Sequence, residues 1–300
     1  MRRAFPLLVA LAVLLGSSAP AIPAHAAVDL DPYEGLGSWV DVFDYAQRAQ
    51  PPGSPPPVTP ESVDDMAALG ARTLYLQVVN PVGKPPTTLF DAALLAEFVS
   101  HAHDNGMQVV AWYLPSVVDV NDDYAMMQRI ASFRVDGRGF DGVALDLEDT
   151  SGVADIAVRN DRIVDLTKRT RKLLGDSRAL GAIVYPAVQI ELINPTLWPT
   201  FPYRRLQPSV DVWMPMAYFT FRDGEYRDPL RYTEDSVAML RAHLRDRTAV
   251  VHVIGGIADL TTPEDYVAFL LAARRTRAVG YSVYDFRTTS SAAWATLRDG

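Results

Sequence analysis

The sequence predicts a single (β/α)8 barrel, and three observations carry that expectation. A rhythm of apolar strand, polar loop and amphipathic helix repeats along the chain. Eight strand-like runs, each followed by a helical segment, fit the roughly 270 residues left after a leader, which is the size of such a barrel. The competing doubly wound open sheet usually carries a glycine-rich phosphate turn after its first strand. Here Asp44, Tyr45 and Ala46 stand at that place, and Gly53 is isolated among prolines.

The elements follow in order. Arg2 and Arg3, an apolar run over 7–15 and the small-x-small site Ala24, His25, Ala26 predict a signal peptide over 1–26, cleaved after Ala26, with the barrel over 27–300. The apolar run is too short to cross a bilayer, which takes on the order of 20 apolar residues, and no later segment is that long. A secreted, extracellular protein without a membrane span is expected. Strand one is expected over 38–43, followed by a stiff proline-rich loop over 51–60 and a helix capped by Thr59 and ended at Gly70. Strands two to eight are expected over 73–79, 108–114, the stretch 139–150, 180–185, 210–218, 249–254 and 278–284. Helices are expected over 90–105, 123–133, 157–174, 234–244, 263–274 and 291–297.

Charge and composition narrow the function. The full chain has 28 basic and 36 acidic residues; removing Arg2 and Arg3 leaves 26 against 36, or −10. Nucleic acid is thereby an unsuitable partner. With no Cys, an exported chain cannot rely on disulfides, so its stability must come from one large core. His25, His101, His103, His243 and His252 show no metal-ligand spacing; no metal and no cofactor are expected, and the chain is expected to act as a monomer.

The stretch GFDGVALDLEDT (139–150) organises the rest. Strand alternation puts Val143, Leu145 and Leu147 on one face and Ala144, Asp146 and Glu148 on the other. Acids are costly to bury unpaired, so an aliphatic run ending in carboxylates calls either for chemistry or for buried partners such as Arg287. Barrel enzymes use the carboxyl ends of their strands. The polar residues there are Asp41, Asp44, Gln77, Asn80, Tyr113, Asp146, Glu148, Tyr185, Gln189, Met216, Tyr218, His252, Tyr284 and Asp285. Tyr faces stack on sugar rings while Asp and Gln pair with hydroxyls, so Asp41, Gln77, Tyr113, Tyr185, Tyr218, Tyr284 and Asp285 are candidate contacts to a polysaccharide or oligosaccharide. Trp198, in a proline-rich loop, is a further candidate for the cleft, whereas Met214 and Met216 are expected to fill the barrel.

The run Asp141 to Glu148, DGVALDLE, resembles the strand-four signature DGxDxDxE of family 18 chitinase-type glycoside hydrolases, and Met216, Ala217, Tyr218 resembles their strand-six Met-x-Tyr. Residues 140–149 are equally similar to the FDGxxLDxxD strand of polygalactosaminidase-like barrel glycosidases. Both resemblances imply a (β/α)8 fold and glycoside hydrolysis. The first implies Glu148 as general acid, Asp146 orienting a substrate acetamido group and Tyr218 holding it. The sequence departs from that pattern at Ala144 and Phe219, where the family has acids. A second mechanism uses Asp146 as nucleophile or base, with an acid from Glu148, Asp41 or Asp285. A carbohydrate-binding barrel without catalysis is the alternative from another class. A hydrolase of a different bond is disfavoured, because there is no G-x-S-x-G turn, Cys or metal cluster in the sequence.

Overall fold

A computed structural model describes residues 28–79, 89 and 91–300 of the chain. The expected signal peptide, the start of the helix expected from Phe90, and Asn80 lie outside the described residues. Eight parallel strands form one sheet in the order β6-β5-β4-β3-β2-β1-β8-β7. They are β1 Gly35–Val40, β2 Thr73–Gln77, β3 Gln108–Tyr113, β4 Gly142–Asp146, β5 Leu180–Val184, β6 Val212–Pro215, β7 His252–Ile257 and β8 Gly280–Tyr284. Two parallel bridges, Trp213 with Val251 and Met216 with Ile254, bring β6 against β7 and close the circle. The closing bonds run from Trp213 N–H to the Val250 carbonyl at 2.9 Å and from Ala217 N–H to the Ile254 carbonyl at 2.7 Å.

The helices between strands are α1 Ser62–Ala68, α2 Ala92–Asp104, α3 Val120–Ser132, α4 Ile156–Leu174, the single turn α5 Tyr203–Leu206, α6 Pro229–Leu244, α7 Pro263–Thr276 and α8 Ser291–Arg298. Six of them begin at a side-chain cap that satisfies otherwise orphaned N–H groups: Asp91, Asp119, Asp155, Asp228, Thr262 and Ser290. The cap at Asp228 with Pro229 behind it starts α6 five residues ahead of the expected 234, a cap-plus-proline signal that apolar periodicity alone overlooks. Thr59 is not the cap of α1. Its hydroxyl bonds Glu61 and its N–H is accepted by Ser62, and α1 starts without a side-chain cap.

Strand bounds slide along the sequence at β1 and β7, and β6 is shorter than the expected 210–218. β1 runs over Gly35–Val40 instead of the expected 38–43, and it ends three residues early because Asp41 accepts the N–H groups of Phe43 and Asp44 and turns the chain into a short helix, Val42–Tyr45. β7 starts at His252 instead of 249, and its ladder shifts between Ile254 and Ile257 at Gly255 and Gly256. His252 therefore sits at the bottom of the barrel rather than its mouth.

Two apolar layers result. Val143, Leu145 and Leu147 face the helices, as do Ile163, Val164 and Leu166 of α4 from the other side. Tyr33, Trp39, Tyr75, Val110, Trp112, Ala144, Ile183, Met214, Met216 and Ile254 fill the interior. Tyr33, just ahead of β1, plugs the floor: its hydroxyl donates to the Val143 carbonyl at 2.6 Å and accepts from Gly181 N–H at 3.2 Å. The Tyr33 carbonyl takes the Nδ1 proton of His252 at 2.9 Å, which fixes the tautomer, since a carbonyl can only accept. His252 Nε2 then accepts from Ser282 Oγ at 2.9 Å, and Ser282 in turn accepts from Trp39 Nε1 at 2.8 Å. Burial pushes the His252 pKa down to about 4, so the ring is neutral. From Tyr33 through His252 and Ser282 to Trp39, each linked polar atom thus has a partner, as a dry interior demands.

Candidate active site

Above that floor an aromatic ladder climbs to the mouth. Trp39 stacks on Tyr75 with centroids 4.4 Å apart and planes at 14°, meets Trp112 edge-on at 5.9 Å, and neighbours Tyr284, which in turn neighbours Tyr218 at 6.5 Å. Trp39, Trp112, Tyr218 and Tyr284 border a cavity of about 240 Å³ whose lining also includes Asp146, Glu148 and Met216. Asp146 is the last residue of β4 and Glu148 lies in the turn beyond it, so both acids enter the hollow at the carboxyl end of the strand.

The fold leaves these acids unpaired. Asp146 is 5% exposed and its Oδ1 has no hydrogen-bond partner. Among the described residues neither Asp146 nor Glu148 makes an ion pair. The suggested Arg287 partnership does not form, because its Nε lies 2.8 Å from Asp44 Oδ1. Burial, and then the charge of Glu148, hold the Asp146 carboxyl well above the ordinary range. Burial, and then Asp149, raise Glu148. Two like charges in a poorly solvated hollow disfavour double ionisation, so the pair retains a proton to higher pH than a free carboxylate would. The same acids act on nearby phenols. After burial, they push Tyr185 up to about 12 and raise Tyr218 further.

A second acidic group flanks the cavity. Asp41, Asp44 and Asp285 offer carboxylate oxygens within 4.8 Å of one another. Asp41 accepts the Tyr284 hydroxyl and thereby links this group to the cavity wall. Asp285, joined to Tyr284 by a cis peptide, accepts the N–H and hydroxyl of Thr288 at 3.0 and 2.7 Å. Burial, then Asp41 and Asp285, push Asp44 up to about 7 against the pull of Arg287.

The structure thus brings together Asp146, Glu148, Tyr218 and Tyr284 in the cavity, with Tyr185 packed beside them and Asp41 and Asp285 behind Tyr284. Gln77 and Tyr113 stand elsewhere. Gln77 accepts Val42 N–H at 3.0 Å and anchors the loop after β1. Tyr113 points into the helical layer, where its hydroxyl bonds Asp123 at 2.5 Å. Trp198 is buried under Arg159, with its Nε1 on Asn160 at 2.8 Å, away from the cleft. Asp141 binds Val109 N–H and His103 and so ties β4 to the start of β3. Trp39 and Trp112, which sequence reasoning passed over, line the cavity instead; the indole N–H of Trp112 is buried without a partner.

No family model matches the chain and no curated protein does. Solved structures do match its fold. The PgaB (BpsB) glycoside hydrolase domain from Bordetella bronchiseptica aligns with a TM-score of 0.57 at 15% identity, over 86% of this chain and 95% of that one. GH5_18 from Streptomyces cattleya, solved with GlcNAc, gives 0.62 at 14% identity, over 89% and 80%. A family 18 N-acetylglucosaminidase from Paenibacillus barengoltzii gives 0.59 at 10% identity, over 89% and 99%. The fold is that of glycoside hydrolase barrels. The expectation drawn from the strand-four and strand-six resemblances holds at the level of architecture.

Proposed function

We propose that this chain is a secreted glycoside hydrolase acting on an extracellular polysaccharide or glycan, with Glu148 as general acid and Asp146 as its assisting carboxylate or nucleophile. The observation that carries the reading is the pair of proton-retaining acids, without a counter-cation, side by side in an aromatic-walled hollow at the carboxyl end of β4. Pockets for drug-sized ligands run from about 300 to 1,000 Å³, so a cavity of about 240 Å³ suits one sugar ring held between indole and phenol faces. With one proton held between the two acids, Glu148 gives it to the glycosidic oxygen as the bond breaks, and Asp146, ionised in that form, stabilises the positive charge that develops on the ring. Ala144 is fully buried in the barrel and Phe219 packs beside Phe269. Neither place offers the extra acid that tunes an acetamido-assisted reaction, which favours direct participation by Asp146. No helix among the described residues is long and apolar enough to cross a membrane.

The test is incubation of the purified protein with a panel of bacterial and plant glycans, following reducing ends and, in parallel, glycan retention. Release of reducing ends supports the hydrolase. Silence with retained binding would leave the non-catalytic carbohydrate-binding barrel as the better account.

A pH dependence follows from the same geometry. The general acid must be protonated, so activity falls on the alkaline side as Glu148 loses its proton, and the raised pKa moves that fall to higher pH than a free Glu would give, near 4.3 as a rough reference. Asp149 is the first charge that adds to burial in raising Glu148. Asp149→Asn is therefore expected to shift the alkaline limb of kcat/KM to lower pH while leaving the barrel folded. A limb that stays put would show that Asp149 does not set the acid.

A further inference from the structure

Apart from Asp146 and Glu148, the mouth holds the Asp41, Asp44 and Asp285 group, formed where the end of β1 meets the end of β8. We infer that this group is a binding site for a divalent cation, calcium by its chemistry, that ties the loop after β1 to the end of β8. The first observation is proximity: one oxygen from each carboxylate lies within 4.8 Å of the others. Calcium–oxygen bonds of about 2.3 to 2.6 Å allow ligands on opposite sides of the ion to stand roughly 5 Å apart, so three such oxygens fit one coordination shell.

The second observation concerns Asp44 alone. It is 1% exposed, and its Oδ2 is buried without any hydrogen-bond partner, although Oδ1 pairs with Arg287. That carboxyl lies within hydrogen-bond reach of the Asp285 carboxyl, a second acid, and no protein N–H or hydroxyl reaches its Oδ2. A buried unsatisfied carboxylate oxygen is rare, because the fold forfeits its solvation without return. A positive species between the two acids repairs it, either one shared proton or a cation that displaces that proton. Charge points the same way: once all three carboxyls are ionised, the exposed Arg287 guanidinium on Asp44 balances one charge, and a divalent ion would balance the other two. Asp41 accepts protein donors at both oxygens, Phe43 and Asp44 N–H at Oδ1 and the Tyr284 hydroxyl at Oδ2, while Asp285 keeps Oδ1 on Thr288, so their orientation is set before an ion arrives. Carboxylates preset in this way, with water completing the shell, are the oxygen-only donor set of a hard cation. Because Asp41 also holds the Tyr284 hydroxyl, an ion here would brace one wall of the neighbouring cavity.

The experiment uses the full protein stripped with EDTA and dialysed at pH 7.5, then titrated with CaCl2 by calorimetry and by thermal unfolding. Few-carboxylate sites bind calcium at about 10⁻⁴ to 10⁻³ M, so about 10 mM CaCl2 is expected to raise Tm by roughly 3 to 6 °C. Asp44→Asn and Asp285→Asn are each expected to weaken binding at least tenfold and to abolish the rise; should Asp44→Asn fail to fold, Asp285→Asn carries the comparison. MgCl2 is expected to give the smaller shift. No binding heat and no Tm change in the wild type would overturn the site, in favour of a shared proton between Asp44 and Asp285. An undiminished shift in the variants would overturn it in favour of ion binding elsewhere, and a larger response to MgCl2 would overturn the assignment to calcium.

Discussion

Glu148→Gln is expected to lower glycan hydrolysis by roughly 100- to 10,000-fold in kcat, the usual worth of a positioned general acid, while leaving the fold intact. The amide keeps the volume of the half-buried side chain and removes only the transferable proton. It also removes a like charge from beside Asp146, whose raised pKa owes its second contribution to Glu148. The Asp146 carboxyl should then ionise at lower pH, so the residual activity of the variant should lose the alkaline limb set by Glu148 and keep an acid limb moved downward. Substrates with activated leaving groups need little protonation and should retain most of their rate. If the variant loses both substrate types equally, Glu148 acts in binding or architecture rather than as the acid. If it loses neither, the proton comes from elsewhere at the mouth.

The barrel was legible because strand, loop and helix differ in apolar period, and because caps and glycines punctuate them. The acid pair was legible for a related reason: aliphatic residues alternating with Asp146 and Glu148 at the end of a strand cannot be accommodated quietly in a core. What the sequence conceals is parity and closure. Trp112 and Tyr113 both end β3, and only the layering of the barrel decides that Val110 and Trp112 face inward while Ala111 and Tyr113 face the helices. The site therefore gains an indole where a phenol was expected. His252 reads as a strand-end residue until β7 is seen to run on to Ile257, which drops the imidazole to the floor. Asp44 and Asp285 lie 241 positions apart by subtraction of their numbers, and nothing local marks them as neighbours before β1 pairs with β8. The cap role of Asp41 hides behind the same apolar run that announces β1.

Gly280→Ala is expected to be the most damaging single-methyl change in the barrel floor. A Cβ at this position would stand 2.2 Å from the Tyr33 carbonyl oxygen, 2.3 Å from His252 Nδ1 and 2.9 Å from the Gly35 carbonyl oxygen. Two of these atoms are backbone and cannot swing aside as a flexible side chain would. The methyl also intrudes on the line from His252 Nδ1 to the Tyr33 carbonyl, so the repacking that relieves the clash breaks the bond that fixes the imidazole tautomer. Overpacking costs about 1 to 3 kcal/mol and a buried polar group left unpaired about as much again, giving on the order of 3 kcal/mol or more. For a domain of this size that corresponds to a fall in Tm of roughly 6 to 12 °C, read by calorimetry. Near-UV dichroism should change with it, because Trp39 is held through Ser282 to the same imidazole and stacks on Tyr75. A fall of less than about 2 °C would mean that the floor yields easily. The polar chain from Tyr33 through His252 and Ser282 to Trp39 would then not be what holds the cavity's lower wall in place.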